Sequence, residues 1–283
     1  MLTPVPVFFA LLSAGVYGIA DYCGGKASRR QPAVIVTVFG QTISLVLIVA
    51  AVLLIGTPVP GASTWWWGAA GGLAGAVGLA SFYHALSRGD MSSVAPMTAV
   101  ISIALPVIVG LASGERPDPI AYVGIALSVV AVALVSGVVA TQHRRTPHSV
   151  MAFAVLAGLG FGGLFVCLDR TADDSGMWPL VAVRMVSVSV LAILALVLRL
   201  RPAGRAGLGL AAVAGVLDMI ANVFYLIAVR DDLLSLVAVL AALYPVSTVA
   251  LAMTIDHERV SRWQALGMVL AAVSAVLITL GRP

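Results

Sequence analysis

The sequence predicts an all-α integral membrane protein in which ten transmembrane helices form two inverted five-helix repeats. Three observations carry this: 61% of the 283 residues are hydrophobic and only 10% are charged, the apolar residues gather into ten long stretches, and one residue pattern occurs twice. A soluble domain is usually about a quarter charged, and a mean hydropathy of +1.08 exceeds what a soluble core could hide. Two cysteines, Cys23 and Cys167, are too few for a disulfide framework or a metal cluster and read as packing residues.

A spanning helix needs roughly 20 largely apolar residues. Such stretches run at 4–24, 33–55, 65–87, 91–112, 119–140, 149–168, 178–198, 206–229, 233–254 and 261–280. The first lacks a basic flank before its apolar run, so it reads as a retained helix and not as a cleaved signal peptide. Trp65, Trp66 and Trp67 open the third and Trp178 opens the seventh, where interfacial anchors sit. Gly68, Gly71, Gly72 and Gly75 in the third, and Gly158 and Gly162 in the sixth, are spaced for close helix contact. Tyr244-Pro245 loosens the ninth, because proline removes one backbone hydrogen bond. Long helices satisfy their own backbone groups in lipid, whereas barrel strands would alternate strictly, which these stretches do not. The longest connection, around Thr141 to Ser149, leaves no room for a soluble catalytic or nucleic-acid-binding domain.

The repeat is read from Phe82–Ser93 (FYHALSRGDMSS) and Phe224–Ser235 (FYLIAVRDDLLS), which share Phe, Tyr, Arg, Asp and Ser at constant spacing. Glu115-Arg116 with Gly124 corresponds to Glu258-Arg259 with Gly267, and Tyr17–Lys26 (YGIADYCGGK) aligns with Phe161–Arg170 (FGGLFVCLDR). The chain divides into a first repeat at 1–140, a connecting loop at 141–148 and a second repeat at 149–283. An odd number of helices per repeat turns the second copy upside down, an architecture common in secondary transporters, whose sites lie near the midplane where the halves meet.

Lys26, Arg29, Arg30, Arg88, Arg144, Arg145, Arg199, Arg201, Arg205, Arg259 and Arg262 fall in loops of one side, against Arg116, Arg170, Arg230 and Arg282 on the other. Excess basic charge marks the cytoplasmic side, which places both termini outside. The net charge of +4 is thereby explained by topology, with no nucleic-acid partner.

Ionisable groups within a bilayer cost roughly 2.5–3.5 kcal/mol on insertion scales, so each needs a reason. Asp218, Asn222 and Tyr225 share one helical stripe. Arg184, the strong base within a span, requires a carboxylate or an anionic ligand, and Asp218 is the expected partner. Asp21 follows Ser13 and Tyr17 on one face, and either joins a buried site or faces the loop and pairs with Lys26. Tyr83 precedes His84, which can titrate near neutrality or simply be a satisfied structural histidine. Asp21, Tyr83, His84, Arg184, Asp218, Asn222, Tyr225 and Tyr244 are therefore the candidate substrate-binding or coupling residues, with no catalytic, metal or cofactor site among them.

The chain resembles the EamA-type family of the drug/metabolite transporter superfamily. The resemblance rests on the two five-helix repeats, the turns GERP (Gly114 to Pro117) and DHERVS (Asp256 to Ser261) before each last helix, and three segments: Tyr17–Arg30, Leu168–Arg184 and Leu217–Arg230. It implies a proton- or gradient-coupled exporter or facilitator of small metabolites such as amino acids or drug-like compounds, in the cell membrane. The partners it brings are the small-molecule substrate, the lipid bilayer and a proton or other coupling ion, with a homodimer open as an assembly. Two features depart from the pattern: Pro245 has no counterpart in the fourth helix, which carries Pro96 and Pro106 instead, and many members place both termini in the cytoplasm.

Other classes fit less well. The turn CGGKAS (Cys23 to Ser28) lacks the first glycine and the hydroxyl residue of a phosphate loop, so ATP hydrolysis is unsupported. An intramembrane enzyme would need an HExxH pair or a nucleophile with its base; His143, His148 and His257 lie in loops and only Asp21 with Asp218 could form a carboxylate pair. A channel or a non-transporting scaffold is not separated from a carrier by sequence.

Overall fold

A computed structural model describes residues 5–89, 91–135, 147–255 and 261–281. Eleven helices are present among them: α1 (Val5–Ser28), α2 (Ala33–Ile55), α3 (Ala62–Arg88), α4 (Met91–Ala112), α5 (Pro119–Val135), α6 (His148–Asp169), α7 (Trp178–Val197), α8 (Leu208–Arg230), α9 (Leu234–Ala241), α10 (Pro245–Ile255) and α11 (Arg262–Leu280). Together they make ten spans, because α9 and α10 are two pieces of one. Seven helices are long and apolar enough to cross a bilayer, and three shorter apolar ones complete the set. The protein is a multi-pass membrane protein.

The ninth span was expected to be one loosened helix over 233–254, and it is instead broken outright at Ala242–Tyr244. Proline at 245 cannot donate to the carbonyl four residues back, and its ring disfavours helical geometry at Tyr244. The first helix runs on to Ser28 instead of ending near residue 24, and His148 opens α6 instead of lying in a loop. His143, His257 and the turn Asp256–Val260 lie outside the described residues.

The helices pack by exchange between the repeats. The main contacts of α1 are with α8 and of α6 with α3; α4 lies on α6 as α10 lies on α1; α2 meets α7, and α5 meets α11. Each contact has a mate obtained by swapping the halves, as a pseudo-two-fold relation requires. The match extends to single residues. Gly18 on α1 packs against Tyr244 and Ser247, while Gly162, its counterpart on α6, packs against Ser102 and Leu105.

Small residues permit these approaches, as membrane helices require in the absence of a hydrophobic drive between them. A side chain on Gly72 would run into Val183 of α7, and one on Gly215 into the backbone of Gly40 on α2. Gly71 and Gly75 face Leu164 of α6, and Gly158 faces Thr98 and Ile101 of α4. Lipid-facing positions remain apolar, as at Leu54, Trp66 and Leu196.

The loops separate into two ends. At one, the Gln31 side chain donates to the carbonyls of Gly204 (3.0 Å) and Ala206 (2.7 Å), joining the basic connections after α1 and α7. At the other, Trp178 Nε1 donates to Thr57 O at 3.2 Å, Arg170 bonds Ser113, and the Asp118 amide donates to Gly281 O at 3.1 Å. α1 and α8 run antiparallel, with Phe9 against Phe224 at 5.6 Å between ring centroids, so the start of α1 lies at this second end, as does Gly281 after α11. Among the described loop residues, Glu115, Asp118, Asp173, Asp174, Asp231 and Asp232 all gather there.

Candidate functional site

Where α2, α7 and α8 cross near mid-membrane, an apolar bundle closes over a polar cluster. Arg184 of α7 donates from Nη2 to Asp218 Oδ2 of α8 at 2.6 Å and from Nη1 to Gln41 Oε1 of α2 at 2.7 Å. Gln41 Nε2 returns a bond to the same Asp218 oxygen at 3.2 Å, and Ser187 Oγ donates to Gln41 Oε1 at 2.9 Å. Arg184 is 3% and Asn222 1% exposed, so neither the charge nor the amide is relieved by solvent. Burial strengthens the Arg–carboxylate attraction but also imposes a desolvation penalty of several kcal/mol per ion, so the cluster is an expensive feature for a scaffold to carry.

The cluster is incomplete. Arg184 Nε, Asn222 Oδ1 and the Tyr17 hydroxyl are buried and have no hydrogen-bond partner among the described residues. Asn222 spends its amide nitrogen on Asp218 O at 2.8 Å, leaving the acceptor end free. Tyr17 projects from α1 into hydrogen-bonding reach of the Asn222 side chain and within electrostatic reach of Asp218, Arg184 and Asp21. A donor and an acceptor thus stand unpaired around one ion pair, with the Tyr17 hydroxyl against the Asn222 side chain beside them. Buried polar atoms of native proteins are normally satisfied, and clusters of exceptions call for water or a ligand.

Asp21 is 6% exposed and makes no ion pair or hydrogen bond among the described residues. It does not face the loop: Lys26 lies over the Tyr22 ring at 4.8 Å, while Asp21 stands within electrostatic reach of Asp218, Tyr83 and Tyr244. Tyr83 fits over α1 only because residue 24 is glycine, since a Cβ there would occupy its ring. The Tyr244 hydroxyl donates to Ala95 O at 3.2 Å, tying the break of the ninth span to α4.

Two expected members stand apart. Tyr225, placed by periodicity on the stripe of Asp218, stacks on Phe165 at 4.3 Å and donates to Phe165 O at 3.4 Å, because α6 lies against that turn of α8. His84 packs its ring on Phe153 at 4.4 Å and is half-buried at the periphery. Conversely, Gln41 and Ser187 belong to the centre and were not singled out from sequence. The signal was there: Gln41 and Ser44 repeat on α2 the spacing of Arg184 and Ser187 on α7, an amide standing where the second repeat has a guanidinium.

A narrow crevice leads to this centre between α2, α3 and α8, lined by Thr37, Gln41, Tyr83, Gly215 and Asp218 among others. Its walls are the halves of these helices nearest the basic end. Toward the acidic end, the Phe165–Tyr225 stack and the wholly buried α9 fill the space.

No curated protein matches the chain. Of the 27 solved chains that match, one, described only as the crystal structure of a protein, superposes with a TM-score of 0.74 over 97% of this chain and 95% of its own, at 20% identity. That likeness shows the fold. The pattern of the EamA-like transporter family matches twice, over residues 5–137 and 148–280. With both repeats accounted for, the chain belongs to the EamA-like transporter family.

Proposed function

We propose that this membrane transporter carries a small polar metabolite, such as an amino acid or a comparably sized drug-like compound, by alternating access at the junction of its repeats. The observation that carries the reading is two unpaired buried atoms, Arg184 Nε and Asn222 Oδ1, around the Arg184–Asp218 pair, with the Tyr17 hydroxyl beside Asn222. A ligand with a hydrogen-bond acceptor for the guanidinium and a donor for the amide oxygen would complete the cluster. Substrate competing for Arg184 would loosen its hold on Asp218, so loading and the charge state of the carboxylate would be linked.

By the positive-inside rule the basic end is cytoplasmic, and the crevice then opens to the cytoplasm, as an exporter or facilitator loads. In this conformation it admits little more than water. Substrate entry therefore requires α2, α3 and α8 to part.

The test is ligand-induced thermal stabilisation of the purified protein across amino acids, amines, carboxylates and lipophilic cations. Compounds bearing both an acceptor and a donor should raise the melting temperature, and the shift should vanish in Asn222→Ala. Stabilisation by lipophilic cations alone would contradict this reading.

A further inference from the structure

α9 has a problem at its first turn. All eight of its residues are buried, so the backbone N–H groups that a helix leaves unpaired at its start have no access to water. The residue before it, Leu233, has no side chain able to cap. The cap arrives instead from the other repeat: Leu234 N donates to Glu115 Oε1 at 2.8 Å and Ser235 N to Glu115 Oε2 at 3.1 Å.

The turn after α4 is shaped to deliver that carboxylate. Gly114 takes a φ of 99°, a left-handed conformation that glycine adopts without cost, and the Glu115 amide bonds back to Gly110 O at 3.1 Å. Gly110 in turn leaves the carboxylate its space, for a Cβ there would collide with it. A charged acceptor at a helix start is favoured both by the hydrogen bonds and by the helix dipole.

From this geometry we infer that Glu115 is a positioning residue for transport: it tethers the first repeat to α9 and so holds the pathway closed at the acidic end. α9 spans about 12 Å at 1.5 Å per residue, reaching from Glu115 to the break at Ala242–Tyr244, where Tyr244 stands beside Asp21. Releasing the tether frees α9 to move along its axis and shifts the break with it. The inference rests on the transporter reading above but not on any substrate.

The experiment uses the full-length protein in detergent with Cys23 and Cys167 replaced by alanine and Leu236→Cys as reporter, one turn inside α9 and inaccessible in the closed state. The probe is a membrane-impermeant maleimide. Glu115→Ala should raise the labelling rate about tenfold, the factor expected when a hydrogen bond to a charged group tying the two repeats together is lost. Gly110→Ala should do the same without touching Glu115, and Glu115→Gln, which keeps one acceptor, should give a smaller rise. Adding Leu233→Asp to Glu115→Ala gives α9 a cap of its own; it should restore the melting temperature but leave labelling high.

Unchanged labelling in Gly110→Ala and Glu115→Gln, both eluting as a single species, would overturn the inference. So would restoration of the closed state by Leu233→Asp, since Glu115 would then be a cap and nothing more. Labelling needs no substrate, so either result leaves the reading of the Arg184–Asp218 site to its own test.

Discussion

Asp21 and Phe165 occupy the same place in the two repeats, as do Tyr83 and Tyr225, yet they build opposite things. In the first repeat the Tyr83 phenol lines the approach to the centre from the basic end, with the Asp21 carboxyl group within electrostatic reach of it. In the second, a phenyl ring stacks on the equivalent phenol at 4.3 Å and plugs the approach from the acidic end. The same asymmetry governs the centre, where Asp218 and Asn222 correspond to Ala76 and Ala80, and Arg184 faces Gln41. A duplicated fold supplies two related half-paths, and side-chain choice makes one polar and seals the other.

The comparison can be broken most forcefully at the centre. Asp218→Ala leaves Arg184 buried without a counter-charge and should cost about 3–5 kcal/mol, read as a large fall in melting temperature. The double variant Arg184→Gln with Asp218→Asn removes both charges, makes α7 resemble α2, and should recover most of that loss. Failure to recover it would mean that the pair is needed for folding in its own right.

The next effect lies in the seal. Phe165→Ala should lose about 3 kcal/mol by deleting a packed ring. At the equivalent place in the other repeat, Asp21→Asn replaces a buried carboxyl group that has no counter-ion among the described residues and should leave the melting temperature unchanged or higher. A drop for Asp21→Asn comparable with that of Phe165→Ala would show that Asp21 has a structural partner and would erase the contrast.

His84 provides the smallest. Resting on Phe153 and half-buried, it should tolerate His84→Phe within about 0.5 kcal/mol, the usual range for peripheral substitutions. A larger loss would bring it back among the buried polar groups that matter.

Much of this fold was legible because lipid imposes simple rules. Ten apolar runs, a repeated FY…R.D pattern and glycines at close-contact spacing each report a constraint that one residue type satisfies almost alone. The pair Arg184–Asp218 could be expected because a buried guanidinium demands a carboxylate. Gln41 was harder, since an uncharged amide inside an apolar run costs little enough to pass unnoticed. Tyr225 was harder to place because helical periodicity gives a face but not the neighbour on it, and here the neighbour is Phe165. Glu115 lies in a loop, where a carboxylate needs no explanation; only the buried, uncapped start of α9, some 119 residues along the chain, reveals its task. The break in the ninth span was visible as Pro245, but whether a membrane helix bends or ends at proline depends on packing that the sequence does not display.

The central claim is that the Arg184–Asp218 cluster is where substrate is held. The most direct measurement is counterflow in proteoliposomes of the compound that best stabilises the purified protein, compared between the native chain and Asp218→Asn. The account predicts saturable exchange in the first and its loss in the second, compared at equal amounts of protein that elutes as a single monodisperse species. Undiminished saturable exchange by Asp218→Asn would contradict it.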